Sequence, residues 1–268
     1  MGEFRFKQFT VRNEASAMKV NTDGVLLGGA LTLLPSDRCL LDVGTGTGTI
    51  ALMVAQRLCG MLNISQINKG IFNIQAIDSD LPSVTEAALN FNVSPWRENL
   101  AASHCPLENY EPGLAFDLIF SNPPFFESSL KAPDPRRRSA RHTGTLSYRE
   151  ILAFASRHLS PSGRVSLILP ADCERELLMN AAALGLHPFR ILQVGTVPGK
   201  PFSRIIAEFA RSRPASAGSG VALPASSNPG FSRLCSAAPV REEMFIHCGN
   251  GGYSETYRSL LKDFLIIF

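Results

Sequence analysis

The 268-residue chain reads as an α/β protein with a mainly parallel sheet and helices on both faces. Three observations predict this. Short apolar runs alternate with amphipathic stretches along most of the chain. Gly44, Gly46 and Gly48 follow the first strong run at once, so a strand turns sharply into a helix. A second such run ends in an acid, Asp78.

The elements follow in order. "CLLDV" (39–43) is a buried-strand run. In 49–58, Ile50, Met53, Val54 and Leu58 share one helical stripe. A strand is expected over 72–77. A helix is expected over 81–91, with Asp80 as its cap and Pro82 in its first turn. A weaker strand lies near 99–104, and a strong one at 116–120. Residues 147–159 form a helix, "PSG" turns the chain, and 164–170 is a strand. Asp172 is placed to cap the next helix and Gly185 to end it. Strand-like runs return at 189–194, at 204–210 and in "EEMFIHC".

Two segments break the rhythm. Residues 61–70 lengthen a connection. Residues 211–241 are rich in Ser, Ala, Gly and Pro and carry four arginines with no acid, which reads as a flexible insertion. The expectation is one domain spanning 1–268. Six scattered cysteines form no CxxC pair and no zinc-type spacing, so reduced thiols, a cytoplasmic setting and no metal are expected. No apolar run approaches the ~20 residues of a membrane span.

The glycine turn raises the question of its ligand. A dinucleotide turn reads G-x-G-x-x-G, with pyrophosphate on the helix N-terminus. Here the spacing is G-x-G-x-G, and Asp42 precedes it. A carboxylate opposes pyrophosphate but suits a cationic amino group. That favours S-adenosyl-L-methionine over NAD, with Asp42, Gly44, Thr45, Gly46 and Gly48 as contacts. Asp78, at the same sheet edge, is placed to accept from ribose hydroxyls.

"FDLIFSNPPFF" then leaves the fourth strand through Asn122, Pro123 and Pro124 toward Phe125. An aromatic amine is a poor nucleophile because its lone pair is delocalised. The Asn122 side-chain oxygen and the Pro123 carbonyl can accept both of its N–H bonds and draw it toward tetrahedral geometry. The prolines fix φ and hold those acceptors still. Phe125 offers a face for the ring.

These residues together resemble S-adenosylmethionine-dependent methyltransferases of the Rossmann-like, seven-stranded fold. Among them the chain looks most like the bacterial tRNA1(Val) adenine-37 N6-methyltransferase family. "KVNTDGVLLG" (19–28), "SNPPFF", "RRRSARH", "KPFSRIIAEF" and the closing "YSETYRSLLKDFLIIF" are similar to that family's patterns. The resemblance implies a tRNA enzyme, and a monomer is expected. It also implies that 1–35 covers the cofactor, with Lys19 and Asp23 near its methionine end. Thr22 and Asp23 also suit helix capping. Relatives often carry an acid for the cofactor adenine after the third strand. Here Pro106 stands near that place, so 105–107 are candidates by backbone and apolar contact.

From Lys131 to His142 the local charge is +4, against +3 for the whole chain. Arg136, Arg137, Arg138, Arg141 and His142 are therefore candidates for RNA contact beside the reacting base. A single-stranded anticodon-loop adenine is cheaper to turn out than a paired one. Three other readings stay open. One is methylation of another planar nitrogen: an rRNA guanine, a DNA adenine or a protein glutamine amide. Another is a nicotinamide oxidoreductase. The last is a noncatalytic RNA-binding module.

Overall fold

The computed structural model describes residues 2–62, 71–124, 146–211 and 238–268. A short antiparallel hairpin opens the chain, from β1 (Glu3–Arg5) and β2 (Thr10–Arg12). Helix α1 (Thr22–Ala30) follows, then the alternation the sequence predicts. Its elements are β3 (Cys39–Val43), α2 (Thr49–Met61), β4 (Asn73–Asp78), α3 (Leu81–Val93), β5 (Leu100–His104) and β6 (Phe116–Ser121). The second half holds α4 (Tyr148–His158), β7 (Leu159–Pro170), α5 (Glu174–Ala183), β8 (Leu186–Gly195), β9 (Phe202–Arg211), β10 (Val240–Phe245) and α6 (Glu255–Leu261).

The strands other than β1 and β2 form one sheet in the order β10-β8-β9-β7-β6-β3-β4-β5. Only β9 runs against the rest. Seven strands were expected, and β10 adds an eighth by pairing parallel to β8 at the edge. Alternation along each strand sorts the core onto two faces. Leu40, Leu118 and Phe120 join the buried cluster of α1, α2 and the hairpin aromatics. Leu41, Ile119 and Val165 join the cluster under α4 and α5.

Local chemistry sets the element ends. Asp80 caps α3, its carboxylate accepting the Ser83 N–H at 3.0 Å, with Pro82 in the first turn. Ser147 and Glu150 form a reciprocal capping box on α4. Two capping expectations need correction. Asn21, not Thr22 or Asp23, caps α1. Asp172 caps nothing: a 3-10 turn, Ala171–Cys173, intervenes, and Cys173 precedes α5 without a side-chain cap. The "PSG" turn is also absorbed into β7 as an irregularity. Phe116 pairs with Leu159 and Leu118 with Arg164, so 160–163 are left over.

The register brings the ends of β3, β4 and β6 to one edge. Asp42 lies opposite Ala76 on one side and Phe120 on the other. Ser121 Oγ donates to the Val43 carbonyl at 2.6 Å, tying the exit of β6 to that of β3.

Candidate active site

Gly44, Gly46 and Gly48 all take positive φ, at 70°, 57° and 80°. A Cβ is strained in that conformation, so the sequence needs glycine at each position. The Gly44 and Thr45 amides donate to the Ile77 carbonyl at 2.9 and 3.1 Å. Asp78 Oδ2 accepts the Gly46 N–H at 2.9 Å, and Oδ1 accepts the Asp80 N–H at 2.9 Å. The acid at the end of β4 therefore holds the glycine turn.

A crevice of about 330 Å³, its open mouth included, lies over that turn. Gly44, Thr45, Gly46 and Thr47 form its floor, residues 18–21 and Gly24 one wall, and Asn122 another. Of the sequence candidates, Lys19, Gly44, Thr45, Gly46 and Asn122 line it. Asp42, Gly48 and Asp78 do not line it. A Cβ on Gly48 would sit 2.5 Å from Phe91 Cε1, so this glycine serves helix packing. Asp23 is turned to β9, where its carboxylate meets Arg204 Nε at 2.9 Å. Cys105 is joined to the same rim, its N–H donating to the Asp78 carbonyl at 3.0 Å.

Among the described residues, two buried oxygens in this region have no hydrogen-bond partner. Asp42 is fully buried; Oδ2 accepts the Thr45 hydroxyl at 2.8 Å, and Oδ1 has no partner in good hydrogen-bond geometry, though the Ala51 amide lies near the carboxylate. Burial pushes its carboxyl up to about 7; the Thr45 bond pulls back, the charge of Asp78 adds to the rise, and the Ala51 amide lowers it a little. The second is Asn122 Oδ1. The side chain is 6% exposed, and its Nδ2 faces Asn21 Oδ1 at 3.5 Å and Met18 Sδ at 3.7 Å. Unpaired buried acceptors are rare because each forfeits its hydration. Asn122 belongs to the crevice lining, so its oxygen is the one placed to take a donor from a ligand, while the Asp42 carboxylate can act on a bound positive charge through its field.

Sequence reasoning missed the support of residues 18–21. Glu86, in mid-helix on α3, accepts the amides of Glu14, Ala15 and Ser16 at 2.7, 2.8 and 2.9 Å. Burial opposes its charge, but the three amides and nearby Lys19 outweigh that and hold its pKa below the ordinary value. Asn90 exchanges bonds with the Arg12 backbone and donates to the Thr47 carbonyl at 2.9 Å. Phe125, Arg136, Arg137, Arg138, Arg141 and His142 lie outside the described residues. Among the described residues there is no cluster of potential metal ligands and no helix long and apolar enough to cross a membrane.

A protein from Phocaeicola vulgatus is 40% identical to the chain over 98% of its length and 97% of the relative. It is described as a tRNA1(Val) (adenine(37)-N6)-methyltransferase. The chain belongs to this family. Other members of the tRNA1(Val) (adenine(37)-N6)-methyltransferase family match similarly. The Bacteroides fragilis protein is 41% identical over 77% of the chain and 83% of its own length. The Aeromonas salmonicida protein is 35% identical over 98% and 97%. No protein-family model matches. Among solved structures, a predicted O-methyltransferase from Agrobacterium tumefaciens superposes with a TM-score of 0.60 at 14% identity. It covers 90% of the chain and 96% of itself. The T. thermophilus 16S rRNA N2 G1207 methyltransferase gives 0.51 at 20% identity, over 78% of the chain and 49% of itself. At such identities the likeness is one of fold, and this family member has the methyltransferase fold.

Proposed function

We propose that the chain methylates N6 of an adenine in tRNA, position 37 of tRNA1(Val), with S-adenosyl-L-methionine as methyl donor. The observation that carries the reading is the buried, unpartnered Asn122 Oδ1 at the wall of the glycine crevice. Family membership supplies the substrate.

The cofactor would supply an electrophilic methyl on a sulfonium, whose C–S bond breaks to leave S-adenosylhomocysteine. The residues present fit such a group. Gly44, Thr45 and Gly46 offer a floor free of Cβ obstruction, with Lys19 beside it. Asp42, buried beneath the turn, adds a carboxylate whose field suits positive charge. Asp78 keeps acceptor capacity for ribose hydroxyls after its two backbone bonds.

Asn122 Oδ1 and the Pro123 carbonyl accept the two N–H bonds of the adenine amine. They orient its lone pair and draw it out of the ring. An amine held in this way would receive the methyl that the cofactor supplies, and its extra proton would pass to solvent. Pro123 and Pro124 stiffen the acceptors. We assign Phe125 to stacking on the base, and Arg136, Arg137, Arg138, Arg141 and His142 to tRNA phosphates. Residues 1–35 belong to the cofactor cover, and 211–241 form an insertion in a single domain. The reading includes a monomer in a reducing cytoplasm.

The test is methyl transfer to unmodified tRNA1(Val), followed by digestion and mass mapping. N6-methyladenosine at position 37 is expected. Asn122→Ala is expected to bind S-adenosylhomocysteine as the parent does while turnover falls ~10²–10³-fold. Methylation elsewhere in the tRNA overturns the substrate assignment. Parental turnover in Asn122→Ala overturns the mechanism.

A further inference from the structure

We infer that Asn21 is a positioning residue that sets which end of the Asn122 amide faces the substrate. The inference rests on the reading of Asn122 Oδ1 as an acceptor for the amine.

A side-chain amide has one donor end and one acceptor end, and a half-turn exchanges them. Catalysis as proposed needs the oxygen toward the crevice. Asn122 Nδ2 has two acceptors in front of it, Asn21 Oδ1 at 3.5 Å and Met18 Sδ at 3.7 Å. A flipped amide would set its oxygen against both and aim two N–H bonds at the incoming amine.

Asn21 is itself locked. Its Oδ1 accepts the Gly24 N–H at 2.8 Å as the cap of α1, and its Nδ2 donates to the Lys19 carbonyl at 3.0 Å. Both ends of this amide are therefore assigned by backbone partners, and its oxygen is a fixed reference for Asn122. The cap of a helix at residue 21 thus polarises a side chain at residue 122.

Two substitutions separate capping from orienting. Ser at 21 caps a helix but is too short to reach Asn122; Asp caps as well as Asn and keeps the acceptor, though it gives up the bond to the Lys19 carbonyl. Asn21→Ser is expected to lower kcat roughly 3- to 10-fold, the worth of one net hydrogen bond. Its melting temperature should stay near that of the parent, and because Asn21 lines the crevice any loss of affinity for S-adenosylhomocysteine should be smaller than the loss of kcat. Asn21→Asp is expected to recover part of the lost kcat. In the Asn122→Ala background, Asn21→Ser should lower kcat no further, because no amide remains to orient.

Parental kcat in Asn21→Ser, an additive loss in the double variant, or a loss matched by weaker cofactor binding would each overturn the role of Asn21. If Asn122→Ala alone keeps parental turnover, it is the underlying reading of Asn122 that fails.

Discussion

Asp78 Oδ2 accepts the Gly46 N–H at 2.9 Å, so the acid ending the second parallel strand fastens the glycine turn of the first. Its other oxygen accepts the Asp80 N–H, and Asp80 in turn caps α3. An amide cannot fill this position, because one of its ends would present N–H to a backbone N–H. Asp78→Asn is therefore expected to loosen the turn and weaken cofactor binding. A lost bond to a charged acceptor is worth about 1.5–3 kcal/mol, or roughly 10- to 100-fold in the dissociation constant. Calorimetry with S-adenosylhomocysteine checks this; an unchanged constant would show that the turn stands without Asp78.

The three glycines of the turn are not equivalent. A Cβ on Gly48 meets Phe91 at 2.5 and 2.9 Å, a Cβ on Gly44 meets the tip of Leu146 at 3.0 Å, and one on Gly46 has 3.4 Å to Ser16. All three pay for a left-handed φ, roughly 1–2 kcal/mol. Only Gly48→Ala also drives a ring out of the core, which adds roughly 1–3 kcal/mol. Denaturant midpoints should rank Gly48→Ala as the least stable. Gly46→Ala should lose more in cofactor affinity than in stability, because Gly46 is on the crevice floor.

The sequence made the centre of the fold legible because its signals there are local. The glycine turn, Asp78 and the Asp80 cap each lie within a few residues of the strand or helix they serve. What escaped depends on distant partners. The hairpin of β1 and β2 has three-residue strands, too short for any periodicity. Asp172 has the chemistry of a cap, but an extra turn displaced it from the helix start. Glu86 reads as an ordinary exposed acid of a helix, and only the fold of residues 14–16 buries it. The unpaired state of Asn122 Oδ1 depends on Met18 and Asn21, about a hundred residues earlier. Asn21 did carry a signal, since an Asn before "TDGVLLGG" is an N-cap candidate.

Glu86 should govern both the acid stability of the protein and the order of the crevice wall. Its carboxylate receives three backbone amides, and Gln cannot accept all three. Glu86→Gln is expected to cost about 1–3 kcal/mol. The pKa of Glu86 is depressed below its ordinary 4.5, so the unfolded chain binds its proton first as pH falls. The stabilisation is therefore complete above that value and is lost as pH drops through the folded-state pKa. Urea midpoints taken from about pH 3 to about pH 6 should fall more steeply for the parent than for Glu86→Gln. Parallel curves would mean that the three amides are equally well held by a neutral side chain.

Asp42 has the opposite sign. Its carboxyl is raised from 3.8 to about 7, chiefly by burial, so the folded state holds a proton that the unfolded state has released. Between those values stability declines as pH rises, and it levels off above about 7. Asp42→Asn does not titrate and should flatten this part of the curve. The cofactor reverses the balance. A cationic ligand favours the charged carboxylate, so binding near neutral pH should expel the proton of Asp42. The affinity for S-adenosylmethionine should then rise with pH through about 7 more steeply in the parent than in Asp42→Asn. Comparing the two proteins removes the titration of the cofactor's own amino group. Calorimetry in two buffers of unlike ionisation enthalpy counts the released protons. Equal proton counts for the parent and Asp42→Asn would place the cofactor's charge beyond the influence of Asp42.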